Sequence, residues 1–258
     1  MKLAGRIALV TGSNRGIGAG IALRLAEEGA DVAINYLEGD SEAEEVAGQV
    51  GRLRRRALLV PADLRDPAAI ERMMAAAAEG LGPLDILVNN AGIGIFRPFL
   101  EASVQDWNDT LDTNLRAAFL CSQIAARGMS ERKFGRIVHI TSTGSQVAIP
   151  GLAHYCASKA GLAMLAKAMS VELGPFGITV NAVGPSTIRT NLNAAVLDTG
   201  DMEAREAALN PTRRIGTPGD IGAMVAFLAS DEASWVNGQN IVVDGGLTAM
   251  SPQPAYLP

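Results

Sequence analysis

Short apolar, β-branched runs alternate along the chain with longer Ala-rich stretches of helical length. The short runs predict strands at Ile7–Val10, Val32–Tyr36, Ala57–Val60, Ile86–Val88, Arg136–Ile140, Thr179–Ala182 and Asn240–Val243. Most are bounded by Gly, Asp, Asn or Pro, which suits strands buried on both faces. The stretches between them predict helices at Gly16–Glu28, Ser41–Val50, Pro67–Glu79, Val104–Met129, Tyr155–Leu173 and Pro218–Ser230. Alternation from end to end predicts an α/β fold, a doubly wound, parallel seven-stranded sheet with helices on both faces. No repeat or linker divides the chain, so residues 1–250 read as one domain. Gly184–Thr217 precedes the last helix without a clear strand of its own, and its inner part, about 186–215, reads as a functional insertion. The tail Ser251–Pro258 holds three prolines and is expected to run irregularly over the surface.

Composition narrows the function. The 258 residues are 48% hydrophobic, enough for one large core. The formal net charge is -5, which gives no general attraction to nucleic acid or to an anionic membrane. No apolar run reaches the roughly 18 residues of a spanning helix. The charged start and apolar run of Met1–Val10 have the outline of a signal peptide, but the run is only Ile7–Val10 and leads straight into a glycine loop. It is therefore read as the first strand. Cys121 and Cys156 have no metal-ligand spacing, so no metal site is expected, and they read as free thiols of a cytoplasmic protein. Arg52, Arg54, Arg55 and Arg56 read as a solvated helix end, where cations complement the dipole.

The first strand is followed by Thr11-Gly12-Ser13-Asn14-Arg15-Gly16-Ile17-Gly18, which opens the first helix. Glycines let a backbone turn tightly and approach phosphate oxygens, and the free amides at a helix start favour negative charge. That context predicts a bound diphosphate. The spacing Thr-Gly-x-x-x-Gly-Ile-Gly resembles the short-chain dehydrogenase/reductase family, and the resemblance runs along nearly the whole chain. Asp63-Leu64 is similar to the family's adenine-contacting pair, and Asn89-Asn90-Ala91-Gly92 to its loop after the fourth strand. Asn114, Ser142, Tyr155 and Lys159 match its catalytic tetrad. Gly184-Pro185 with Ile188 and Thr190 resembles the segment that grips the nicotinamide carboxamide, and Val243-Asp244-Gly245-Gly246 the last strand and turn. Ser186 stands where a glycine often follows the proline. The resemblance implies a Rossmann fold, a nicotinamide dinucleotide and hydride transfer.

Choice between dinucleotides is made at the adenosine ribose, where a carboxylate after the second strand would bond the hydroxyls and repel a 2′-phosphate. The strand ends Asn35-Tyr36 with no acid, and by resemblance Tyr36 occupies the NAD-selecting position. Arg15 resembles the residue that pairs with a 2′-phosphate. Both favour NADP(H). Leu37, Glu38 and Asp40 weigh the other way, so NAD(H) use is also admitted.

Tyr155 and Lys159 are four residues apart on an expected helix and share one face. A free tyrosine, with a pKa near ~10, is a poor base at neutral pH, and a nearby ammonium favours its phenolate. The resemblance also gives Lys159 the nicotinamide ribose, places the Ser142 hydroxyl beside Tyr155 on the substrate oxygen, and gives Asn114 a water linking Lys159 to solvent. His139 reads as a structural strand residue and Cys156 as a packed thiol; His154 is a candidate for the pocket wall.

The substrate wall is expected from Gly94–Leu100, Thr143–Leu152 and the segment from Ser186 to about Asn210, with Ser142, Gly144, Leu152, Tyr155 and Ser186 against the substrate. Ile95, Phe96, Val147 and Ile149 make an apolar wall; Ser145, Gln146, Asn191 and Asn193 offer hydrogen bonds. A small carbonyl or secondary alcohol ranks first. A 3-oxoacyl-thioester on a carrier protein, docked through Arg97 or Arg189, ranks second. A sugar or polyol ranks third, by loose similarity to bacterial glucose dehydrogenases. A silent dinucleotide-binding protein is the reading from another class. The resemblance also implies a homotetramer built on the two long helices and the last strand.

Overall fold

The computed structural model describes residues 1–250. The tail expected over 251–258 lies outside the described residues. Strands are β1 (Ile7–Val10), β2 (Asp31–Tyr36), β3 (Ala57–Pro61), β4 (Ile86–Asn89), β5 (Gly135–Ile140), β6 (Ile178–Pro185) and β7 (Asn240–Val243). They form one parallel sheet in the order β3-β2-β1-β4-β5-β6-β7. The expected seven-stranded sheet is therefore present.

Helices α1 (Gly16–Glu27), α2 (Asp40–Arg52) and α9 (Pro218–Ala229) cover one face. Helices α3 (Pro67–Leu81), α5 (Ala117–Arg132) and α6 (Ala153–Leu173) cover the other. The period of two along each strand divides the core between these layers. Ala8 and Val10 of β1 go to the first, Leu9 to the second. The inner strands β4, β5 and β6 are buried on both faces, which explains why they read as near-unbroken apolar runs, while the edge strands β3 and β7 are half-buried.

The structure departs from the sequence reading in two places. The single helix expected over Val104–Met129 is broken into α4 (Val104–Leu111), a wide π turn (Asp112–Arg116) and α5. Helix α4 starts with a reciprocal cap between Ser103 and Asp106. The insertion also holds two short helices, α7 (Asn191–Leu197) and α8 (Met202–Leu209). At seven and eight residues, they are too brief for apolar periodicity to reveal.

Candidate active site

The strand order reverses between β1 and β4, and a crevice opens there at the carboxyl ends of the strands. The two strand ends are tied by polar contacts. Thr11 Oγ1 accepts from the amides of Asn90 (2.9 Å) and Ala91 (3.0 Å). Asn90 Nδ2 donates to the Thr11 and Gly12 carbonyls, both at 2.9 Å. The glycine loop is packed too tightly for side chains at two positions. A Cβ at Gly12 would lie 3.0 Å from Ala91 Cα, and one at Gly18 would lie 2.2 Å from the Gly12 oxygen. No side chain caps the start of α1, and no acid stands in its first turn, so its amides are open to an anion.

A cleft of about 900 Å³ runs from this loop to the α6 end of the crevice. Gly12, Asn14, Arg15, Gly16, Ile17 and Gly18 line it, and so do Asp63, Leu64, Asn90, Ala91 and Gly92. Pro185, Ile188 and Thr190 line its far side. Ser13 does not: it is buried, and its hydroxyl donates to the Val10 carbonyl at 2.8 Å. Tyr36 does not either. The pleat of β2 turns its ring into the α1/α2 core with Val32 and Ile34. Asn35, Leu37 and Glu38 line the cleft in its place. Asn35 was not singled out from the sequence, yet its Oδ1 accepts from the Gly12 amide (3.1 Å) and its Nδ2 donates to the Val60 carbonyl (3.1 Å). A polar residue in the β2 run was the available clue.

Two cations line the adenosine end, Arg15 and Arg65, and each faces a carboxylate. Arg65 makes a two-pronged contact with Asp63, whose hydrogen bonds hold that carboxyl below the usual carboxylate range. Arg15 Nη1 lies 3.7 Å from Glu42 Oε2.

Three of the four tetrad candidates meet at the other end. Ser142 follows β5, and Tyr155 and Lys159 stand one turn apart on α6, all three lining the cleft. Lys159 Nζ donates to the Ile140 carbonyl at 2.8 Å and lies 5.7 Å from the Tyr155 ring centre. Burial of the ammonium pulls its pKa down to about 8. Among the protein's own groups, burial also dominates at Tyr155 and pushes the phenol up; the Ser142 hydroxyl beside it pulls it partly back. Both groups are desolvated, and each resists its charged form.

Asn114 sits in the π turn, behind the cleft wall. Its Oδ1 accepts from the Ile93 amide (2.8 Å), and its Nδ2 donates to the Ile93 carbonyl (2.9 Å) and to Ser158 Oγ (3.0 Å). Ser158 in turn donates to the Tyr155 carbonyl at 2.7 Å. Both of its side-chain N–H donors thus go to protein groups. They bind the loop after β4 to the helix turn that carries Tyr155.

Leu152 and Ser186 line the mouth, with Ile149, Gly94 and Thr187. Gly144 is buried behind it, where a Cβ would lie 3.1 Å from Ile149 Cδ1 and 3.3 Å from Cys156 Sγ. The Phe96 ring packs over Gly151, and the Arg97 amide donates to the Gly151 carbonyl at 2.8 Å, joining two loops into one wall. Arg189 is paired with Asp198 and Glu203, which pins α7 to α8. Arg97 lies 3.8 Å from Asp106. His154 is buried off the cleft, and His139 Nδ1 accepts from Asn89 at 3.1 Å, a structural contact.

Glycine backbone, free helix amides, a long polar-to-apolar cleft and a buried Tyr–Lys–Ser group fit a nicotinamide dinucleotide. A side chain at Gly92 would crowd Asn114 Oδ1 and Lys159 Nζ, both 3.2 Å from its Cβ position.

Known proteins resemble this chain in sequence and in fold. Residues 12–248 match the family described as enoyl-(acyl carrier protein) reductase. The 3-oxoacyl-[acyl-carrier-protein] reductase FabG of Staphylococcus aureus is 40% identical over 242 residues, 93% of this chain and 97% of its own. The solved acetoin dehydrogenase YohF of Salmonella typhimurium superposes with a TM-score of 0.89 at 35% identity, covering 97% of this chain and 98% of that one. A short-chain dehydrogenase/reductase of Serratia marcescens superposes with a TM-score of 0.89 at 38% identity, covering 96% and 100%.

Proposed function

The chain belongs to the short-chain dehydrogenase/reductase family and is an NAD(P)-dependent oxidoreductase, and from that premise we propose that it interconverts a small ketone and its secondary alcohol, with Tyr155 as general acid/base. The observation that carries this reading is the meeting of Ser142, Tyr155 and Lys159 on one desolvated wall of the cleft. A bound nicotinamide supplies or accepts the hydride. The Tyr155 hydroxyl gives its proton to the substrate oxygen in reduction and takes it back in oxidation. The Ser142 hydroxyl donates to the same oxygen, polarising the carbonyl by the logic of an oxyanion site. Lys159, held on Ile140 with two donors to spare, positions the nicotinamide ribose and favours the phenolate. Asn114 acts as a positioning residue through Ile93 and Ser158.

NADP(H) is the favoured dinucleotide, because Arg15 lines the cleft where no acid ends β2. NAD(H) is admitted. The lining offers no partner for a cationic substrate: the acids lining the cleft, Glu38 and Asp63, stand at the adenosine end, and the mouth is built from Ile149, Leu152, Ser186 and Thr187. The absence of a carboxylate among these mouth residues argues against a sugar or polyol. The likeness to a carrier-protein reductase favours a 3-oxoacyl thioester as the second reading. Against it, Arg97 and Arg189 already face carboxylates.

Exposed Phe119, Met164 and Val171 on α5 and α6 support assembly as a homotetramer, which size-exclusion chromatography with light scattering tests. No described helix is long and apolar enough to cross a membrane, and the free thiols Cys121 and Cys156 suit the cytoplasm. The deciding experiment is NADPH oxidation across ketones, acyl thioesters and sugars, with alcohols for the reverse direction. Turnover confined to acyl thioesters would replace the first substrate reading with the second. Cofactor binding with no turnover on any of them would leave a silent binding protein.

A further inference from the structure

Glu42 stands in the first turn of α2, where an exposed acid would ordinarily point to water. Instead its carboxylate folds back over Gly39 toward the glycine loop. Gly39 has a left-handed backbone (φ 91°), and a Cβ there would lie 2.3 Å from Glu42 Oε2, so glycine is what leaves room for this path. Glu42 Oε2 then reaches Asn14 Nδ2 at 3.4 Å and Arg15 Nη1 at 3.7 Å. Asn14 is held in place by a second bond, 2.9 Å to the Glu38 carbonyl. Leu37 adds no cation at this end, and Arg65 is engaged by Asp63.

We infer that Glu42 sets the discrimination between the 2′-hydroxyl and 2′-phosphate dinucleotides by acting as the built-in counterion of Arg15. This rests on the reading above that Arg15 meets the adenosine ribose. A 2′-hydroxyl is neutral and leaves the Arg15–Glu42 pair in place. A 2′-phosphate must draw the guanidinium off Glu42 and then lie close to that carboxylate. Both effects weaken NADPH and spare NADH, so the pocket serves both dinucleotides with a shallow preference. The pair is exposed, so the effect is modest and screened by salt.

The test is direct binding, read by fluorescence titration of NADPH and NADH into the full chain, with wild type, Glu42→Gln, Arg15→Gln and the double variant. Gln keeps the length of the side chain and a contact to Asn14 while removing the charge. Glu42→Gln is expected to tighten NADPH by about three- to fivefold, the upper scale of an exposed charge contact, and to leave NADH within about twofold. The gain falls when Arg15→Gln is the background, leaving only the direct repulsion between phosphate and carboxylate, and it shrinks at high salt. An unchanged NADPH affinity, equal tightening of both dinucleotides, or a gain undiminished without Arg15 overturns the inference. If Arg15→Gln selectively weakens NADPH while Glu42→Gln changes nothing, the inference alone falls. If Arg15→Gln leaves the ratio of the two affinities unchanged, the 2′-phosphate reading fails first and the inference goes with it.

Discussion

Tyr155 and Lys159 face the same difficulty, that a desolvated site resists charge on both. The general acid/base assignment predicts that Tyr155→Phe loses at least ~100-fold in turnover while circular dichroism and dinucleotide binding stay as in wild type. Near-normal turnover in that folded variant would refute it. Lys159 carries a second prediction. Its pKa of about 8 in the folded protein lies below the ordinary value of 10.5. Between those two values the unfolded chain holds a proton that the folded protein has released, so stability rises with pH across that window. The rise is about 2–3 kcal/mol by linkage, and chemical denaturation at pH 7.5 and 10 should show it in wild type and lose it in Lys159→Met. His139, pulled down to about 3 by burial, acts on the acid side: stability is lost as pH falls from about 6.5 toward that value. The residues legible in the sequence were those whose meaning is local, the glycine loop and the Tyr–Lys turn. Tyr36 was misplaced by one step of the pleat. Asn35 and Glu42 escaped the sequence reading because their partners, Gly12 and Arg15, lie in another segment of the chain, the glycine loop after β1.

Among elements, the π turn at Asp112–Arg116 is the one that sequence periodicity could not show, because a single wide turn leaves the apolar pattern on either side intact. Its contents are testable. Asn114→Ala leaves both backbone groups of Ile93 without their partner, at a cost of about 1–3 kcal/mol. The urea midpoint should fall, and turnover should fall with it, since the turn of α6 bearing Tyr155 loses its brace. A variant with unchanged midpoint and activity would show that the brace does nothing. At α9 the expected start at Pro218 is met, and the structure adds a reciprocal Thr217–Asp220 cap with Arg214 on the acid. Thr217→Ala should cost about 1 kcal/mol, read as a lower denaturation midpoint with cofactor affinity kept. The insertion was read as functional but not as helical. Its order comes from pairs such as Arg189 with Asp198 and Glu203, which no short-range pattern announces.

Taken whole, the molecule is a parallel seven-stranded sheet between helical layers, which strand–helix alternation made legible in the sequence, while the order of the strands was not. The crevice at its centre makes cofactor binding and stability one quantity. NADPH at one hundred times its dissociation constant should add about 2.7 kcal/mol, a rise in Tm of about 5–10 °C, and an unshifted Tm would count against the cleft as its site. The same central pairing has a consequence for synthesis. Ala8 of β1 takes its partner at Ile86 of β4, seventy-eight residues further along the chain. At usual rates of translation the ribosome needs roughly 4–15 s to reach it. In that interval β1 can pair with β2, but its other edge stays open, with Ala8, Leu9 and Val10 destined for burial. An open apolar edge is a template for other chains. The strand at the heart of the finished enzyme is thus the one most exposed to misassociation while the chain is being made.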